Sequence, residues 1–346
     1  MSEFLDIFRY AGKINASDVL IIANSPPVYR VNGDLTPANM SVLSAEQTKK
    51  YLYSLIDEDK IKKFEKTKEL DFSFSVDDKF RFRVNYYWQR ETVSAAFRLI
   101  PYAIPSFEDL GIPEIAKNLT KFQHGLVLVT GPTGHGKSTT QACLINHINL
   151  NRKKHIITIE DPIEYIHKNI NSFIEQREVL QDTLTFANGL KYALRQNPDV
   201  LLVGEMRDLE TISSALTAAE TGHLVFATLH TNDATQSITR IIDVFPQSQQ
   251  KQITIQLAFT LKAVLSQRLI PGIDKRRYLA SEVLIQTPAL SNMIREQKLT
   301  QVFSMIETQG ALGMHTMDSS ILELVKNKKI TKNTAQLYLK KQDTDI

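Results

Sequence analysis

Residues 131–138 read Gly-Pro-Thr-Gly-His-Gly-Lys-Ser and follow directly on the apolar run Leu126-Val127-Leu128-Val129. The pattern G-x-x-x-x-G-K-[ST] works only between a buried strand and a helix, so it predicts a strand–loop–helix unit within an α/β sheet. Gly131, Gly134 and Gly136 let backbone N–H groups turn toward a polyphosphate, and the helix N-terminus adds partial positive charge. Lys137 is placed to reach the outer phosphates, and the Ser138 hydroxyl to ligate Mg2+. Pro132, Thr133, His135 and Thr139 complete the cradle. A glycine-rich turn that merely enters a helix has no need of Lys-Ser at this spacing. The segment is read as a site for a nucleoside triphosphate with Mg2+.

A chain of 346 residues is expected to make about two domains. Residues 1–100 read as a small α+β unit. Phe4, Ile7, Phe8 and Ala11 have helical spacing, Val19–Ile22 reads as a strand, and Val28–Asp34 as a hairpin turning at Asn32-Gly33. Residues 44–67 hold a helical pattern, with Ser44 as N-cap and Gln47 at the capping-box position. Asp71–Val76 and Phe80–Tyr87 alternate as half-buried strands do. Residues 101–121, with Pro101, Pro105, Gly111 and Pro113, read as a linker.

From residue 122 to 346 the pattern changes. Leu126–Val129, His155–Ile159, Val200–Val203 and Leu224–Thr228 are continuous apolar runs separated by helical stretches, as in a parallel sheet covered on both faces. Beyond residue 270 the pattern reads as mostly helical, and the lysine-rich stretch 326–341 as a solvated helical tail.

Three segments at predicted strand ends refine the site. Ile157-Thr158-Ile159-Glu160-Asp161-Pro162-Ile163-Glu164 puts Glu160, Asp161 and Glu164 at the sheet edge where ligands bind, suited to holding Mg2+ or orienting water. Val200–Val203 followed by Gly204-Glu205 has the form of a Walker-B strand in which a glutamate replaces the usual aspartate, making Glu205 the candidate general base. His223 and His230 bracket the strand 224–228; without further ligands at suitable spacing they do not read as a zinc pair, and His230 is a candidate phosphate sensor. In the first unit, Arg81 and Arg83 share a strand face and Arg98 lies close by. Such arginines are ordinarily a solvated face, yet phosphoryl transfer commonly uses an arginine from outside the core domain.

Composition excludes several classes. Net charge is +3, from 41 basic and 38 acidic residues, and there is a single tryptophan, so nothing marks a nucleic-acid channel. The lone Cys143 makes an internal disulfide impossible and reads as a buried small hydrophobe. The chain has neither a run of about 18 apolar residues nor a basic, apolar leader, so no membrane insertion is expected.

The order GPTGHGKST, ITIEDPIEY, VGEMRDLETI and AETGHLVFATLHT resembles the secretion ATPase superfamily of type II secretion and type IV pili. Thr287–Glu296 and Gly313–Asp318 are similar to its PilT-type pilus retraction branch. The resemblance implies a PAS-like α+β N-terminal domain and a RecA-like P-loop ATPase domain with a helical C-terminal region. It implies a cytoplasmic homohexamer docked at the inner membrane under a pilus platform protein, working alone or with a paralogous retraction ATPase. By the family pattern Glu205 is the catalytic glutamate, His230 belongs to the His box, and Arg81, Arg83 and Arg98 match arginines that approach nucleotide.

The sequence departs from the branch at three places: Ser291 stands for an arginine, His135 for the loop's usual serine, and Leu20 for an early histidine. Alternatives are an accessory retraction ATPase and a pilus-assembly or secretion ATPase. The latter commonly carries paired Cys-x-x-Cys motifs that a single cysteine cannot supply. A non-hydrolysing scaffold would have lost Lys137 or Glu205, and both are present.

Overall fold

A computed structural model describes residues 2–31, 33–77, 79–100 and 103–340 of the chain. Two compact units result: Met1–Ala103 with Glu164–Ile166, and Ile104–Ile163 with His167–Ile346.

The first unit contains α1 (Ser2–Lys13), β1 (Asp18–Ile21), β2 (Val28–Val31), β3 (Asp34–Pro37), α2 (Ala45–Tyr53), α3 (Glu58–Thr67), β4 (Glu69–Val76), β5 (Phe80–Gln89) and β6 (Thr92–Ile100). Its six strands form a sheet in the order β3-β2-β1-β6-β5-β4, every neighbour antiparallel. Phe4, Ile7, Phe8 and Ala11 on α1 are all buried, with Phe8 packed against Phe82 and Phe97 at ring distances of 5.4 and 4.5 Å. β2 and β3 pair at Val31 and Asp34; Asn32 of the expected turn lies outside the described residues.

The helical pattern over 44–67 is two helices. Ser44 and Gln47 close the expected capping box on α2, but Asp57 takes the Lys60 N–H at 2.8 Å and starts α3 afresh. An aspartate that binds its own downstream backbone favours a new cap over continuation. β6 is a further strand that periodicity did not reveal. It is reached through Arg90 and Glu91 at φ of 45° and 61°, a tight turn without the glycine or asparagine that usually marks one.

The second unit begins with α4 (Phe107–Leu110) and α5 (Ile115–Leu119). Phe107, Ile112, Ala116 and Leu119 are buried, so most of the segment 101–121 read as a linker packs inside this unit. Then follow β7 (Gly125–Thr130), α6 (Lys137–Asn151), β8 (His155–Glu160), β9 (Phe173–Glu178), α7 (Phe186–Ala193), β10 (Val200–Val203), α8 (Leu209–Glu220) and β11 (Leu224–Leu229). The remainder is α9 (Ala234–Asp243), α10 (Gln247–Thr260), β12 (Leu261–Pro271), β13 (Arg277–Ile285), α11 (Pro288–Arg295), α12 (Val302–Thr308), α13 (Met317–Lys326) and α14 (Lys332–Gln336).

Seven strands form one sheet in the order β13-β12-β7-β11-β10-β8-β9, parallel except for β13 at one edge. Alternate side chains feed opposite cores: Leu126, Leu128, Val225 and Ala227 enter one, and Val127, Val129, Leu224 and Phe226 the other. Burial on both faces explains the unbroken apolar runs.

The region beyond residue 270 is not all helical, because β13 runs antiparallel to β12 from Arg277 to Ile285. Leu279, Ala280, Glu282 and Leu284 are good helix formers, and pairing with β12 overrides that preference. Nor is 326–341 simply solvated. Ile330 and Ala335 are buried, and Lys340 Nζ lies 2.9 Å from Asp233 Oδ2; Lys341 lies outside the described residues.

Candidate active site

The carboxyl ends of β7, β11, β10 and β8, neighbours in the sheet, carry the candidate residues. After β7 the chain turns through Gly131, Gly134 and Gly136, all at positive φ. Gly131 has φ +142°, and a Cβ there would lie 2.3 Å from the Gln267 carbonyl oxygen. Only glycine fits that cradle. Gly136 is the left-handed N-cap of α6, whose first residue is Lys137. Lys137 Nζ donates to the carbonyls of Gly131 at 2.9 Å and Pro132 at 3.0 Å, so its charge lies along the inside of the loop.

After β11 comes His230. Its Nδ1 lies 3.1 Å from Thr133 Oγ1 and 3.4 Å from Lys137 Nζ, and its Nε2 lies 2.9 Å from Glu205 Oε1. An ammonium group has no lone pair, so Nδ1 accepts from Lys137 and the proton is assigned to Nε2, which donates to Glu205. The loop lysine and the Walker-B glutamate are thereby joined through one imidazole.

Glu205 is held by its neighbours. Gly204 N–H donates to Ile159 O at 2.8 Å, and Thr228 Oγ1 donates to Gly204 O at 2.5 Å. A Cβ on Gly204 would stand 3.3 Å from the Glu160 backbone, so the chain passes close to β8 here. Met206 is buried and its N–H donates to Thr228 O, while Asp208 caps α8 through the Thr211 N–H at 2.9 Å. Between these anchors Glu205 meets a residue that the strand pattern did not single out: Arg207 Nε donates to Glu205 Oε1 at 2.6 Å. Burial raises the Glu205 carboxyl, but the hydrogen bonds from Arg207 and His230 outweigh it and hold it below the ordinary glutamate value. The signal for Arg207 was its place two residues beyond Glu205 in a loop between strand and helix.

Glu160 is the last residue of β8. Its Oε1 accepts from Thr158 Oγ1 at 2.6 Å and Gln176 Nε2 at 3.2 Å, with Asp161 following at a cis bond to Pro162. Among the described residues no group of three or more His, Cys, Asp or Glu is arranged to hold a metal by itself. A hydroxyl and separated carboxylates, as at Ser138, Glu160 and Asp161, fit Mg2+ that arrives with phosphates and keeps its waters.

His223, at the opposite end of β11, places Nδ1 3.0 Å from Ala218 O and serves its own turn. Cys143 is buried in α6, where burial pushes its thiol up to about 12. In the first unit Arg83 faces Arg98 across β5 and β6, and Arg98 Nε donates to Asp18 Oδ1 at 3.0 Å. Arg81 lies on β5 with Arg83, and Glu164 groups with this unit.

This sheet, loop and acid define a P-loop nucleotide-binding domain of the RecA-like kind. The chain matches the Type II/IV secretion system protein family over residues 38–345, and it belongs to that family. It is 45% identical to the type IV pilus retraction ATPase PilT of Pseudomonas aeruginosa, covering 96% of this chain and 97% of that protein. It is 47% identical to a twitching motility protein of Neisseria gonorrhoeae, covering 96% and 90%. The crystal structure of the pilus retraction motor PilT with bound ADP superposes with a TM-score of 0.92 at 46% identity, covering 97% of each chain.

Proposed function

We propose that this chain is the ATP-hydrolysing motor of type IV pilus retraction, removing pilin subunits from the base of the fibre. The observation that carries the reading is the continuous Lys137–His230–Glu205 connection, which links the phosphate loop to an acid of the right type for activating water. The likeness to PilT over nearly the whole of both chains supports retraction as the work done.

In this reading residues 131–139 hold ATP, and Lys137 neutralises its outer phosphates. Glu205 accepts the proton of the attacking water, with Glu164 helping to orient it. His230 stands where it can report phosphate through its bond to Glu205. Ser138, Glu160 and Asp161 hold Mg2+, which would neutralise phosphate charge when bound. Arg81, Arg83 and Arg98 supply cationic charge from the N-terminal unit. The chain works as a homohexamer at the cytoplasmic face of the inner membrane, against the pilus platform protein. No helix among the described residues is long and apolar enough to cross a membrane.

Deleting the gene is the deciding experiment. Surface pili should stay plentiful while fibre shortening and twitching cease. Loss of the pili themselves would point to assembly instead.

A further inference from the structure

The phosphate loop is gripped from the side as well as held at its ends. β12 pairs with β7 only as far as Ser266 opposite Thr130, yet it continues to Pro271. Beyond Ser266 the edge of β12 that faced β7 is met by the loop itself. Thr130 Oγ1 donates to Ser266 Oγ at 2.9 Å, and Gly131 lies against the Gln267 carbonyl. Gln267 Nε2 donates to His135 O at 2.6 Å, and Leu269 N–H donates to His135 Nδ1 at 2.9 Å. Arg277 of β13 adds a longer bond, from Nη1 to Gly134 O at 3.3 Å.

His135 binds β12 through both main chain and side chain. Its Nδ1 takes a strand N–H that a continuing β7 would otherwise have taken. A serine hydroxyl, one bond nearer the backbone than Nδ1, stops short of that N–H. The ring must be neutral to accept. Burial, with the charges of Arg268, Arg277 and Lys137 nearby, lowers the tendency of His135 to take a proton.

We propose that His135 is a positioning residue of the nucleotide site: acting through Leu269, it clamps the phosphate loop to β12 and so sets the affinity for nucleotide. The inference rests on the loop's being the nucleotide site of the proposed function. His135 approaches the ligand only through its backbone; its side chain works on the loop's curvature.

The test is ADP binding and steady-state ATP hydrolysis by the full-length protein carrying His135→Leu or His135→Asn. Leucine removes the acceptor, whereas asparagine keeps one at the same number of bonds from the backbone. His135→Leu should weaken Mg-ADP binding about five- to tenfold, the scale of one neutral hydrogen bond, and raise KM for ATP in parallel with a smaller change in kcat. His135→Asn should restore binding to within about twofold of wild type, a rescue that lost packing alone does not predict.

Wild-type affinity in the leucine variant, or equal weakening in both variants, overturns the inference. If His135→Leu does not fold, His135→Gln replaces it, since glutamine carries its oxygen one bond too far out. Tighter binding by the Asn variant than by the Gln variant then supports the inference, and equal binding overturns it. A wild-type chain that binds no Mg-ADP would overturn the nucleotide-site reading itself.

Discussion

His230 Nε2 lies 2.9 Å from Glu205 Oε1, while the other nitrogen of the same ring lies 3.4 Å from Lys137 Nζ. The proposed base is therefore tied, before any water is considered, to the loop lysine proposed to meet the phosphates. Whatever displaces Lys137 changes the acceptor environment of the imidazole, and through it Glu205.

Replacing Glu205 by Gln keeps the shape of the cluster and removes its basicity. ATP turnover should fall at least about tenfold while Mg-ADP still binds with near wild-type affinity. An unchanged turnover number in the purified protein would remove Glu205 from the role of base.

Arg207→Ala tests the electrostatics of the same carboxylate. With Arg207 present, its hydrogen bond and that of His230 outweigh burial and lower the Glu205 pKa. Without it the folded pKa rises, so a higher pH is needed to ionise the base. The acid limb of the kcat/KM–pH profile should move upward in the variant. An acid limb that stays put, or moves to lower pH, contradicts the assignment.

Gly131→Ala asks whether the loop depends on β12. The new methyl would sit 2.3 Å from the Gln267 carbonyl at a φ of +142°. Nucleotide affinity should drop by at least about tenfold, because either the loop or the strand must move. Calorimetry with Mg-ADP reads this directly, and wild-type affinity would mean that the loop accommodates the change without moving its phosphate donors.

His315 offers a stability readout outside the site. Its Nε2 lies 3.0 Å from Ser281 Oγ, and burial lowers its pKa despite a hydrogen bond donated to the Gly313 backbone, which raises it. A depressed histidine binds protons less readily folded than unfolded. Its contribution is complete above the ordinary value of about 6.5 and is lost as pH falls through the folded value. The melting temperature should fall on acidification from that point, with a shallower slope in His315→Gln, which keeps a polar group near Ser281. Parallel slopes in the two proteins would assign the acid sensitivity elsewhere.

Much of this was legible beforehand because the informative signals are local. The loop, the four buried parallel strands and the Ser44–Gln47 capping box each follow from residues within a few positions of one another. β13 was illegible because its partner β12, and not its own composition, makes it a strand. β6 was missed because its turn uses Arg90 and Glu91 where asparagine or glycine is usual. Within the site, Lys137, Glu205 and His230 could be named singly. Their connection through one imidazole, and the role of Arg207, depended on which strand ends the sheet order places side by side.

The bond between Thr130 and Ser266 spans 136 positions of chain. Its neighbours in the clamp, Gln267 and Leu269, are equally remote from the loop they hold. A ribosome that has just released the glycine loop must therefore work for about ten seconds more before β12 can reach it. Until then the loop has its sequence but only one flank, and the nascent chain lacks a finished place for nucleotide. ATP affinity thus arrives late in biosynthesis, and a chain broken off before β12 should emerge as a poor competitor for ATP.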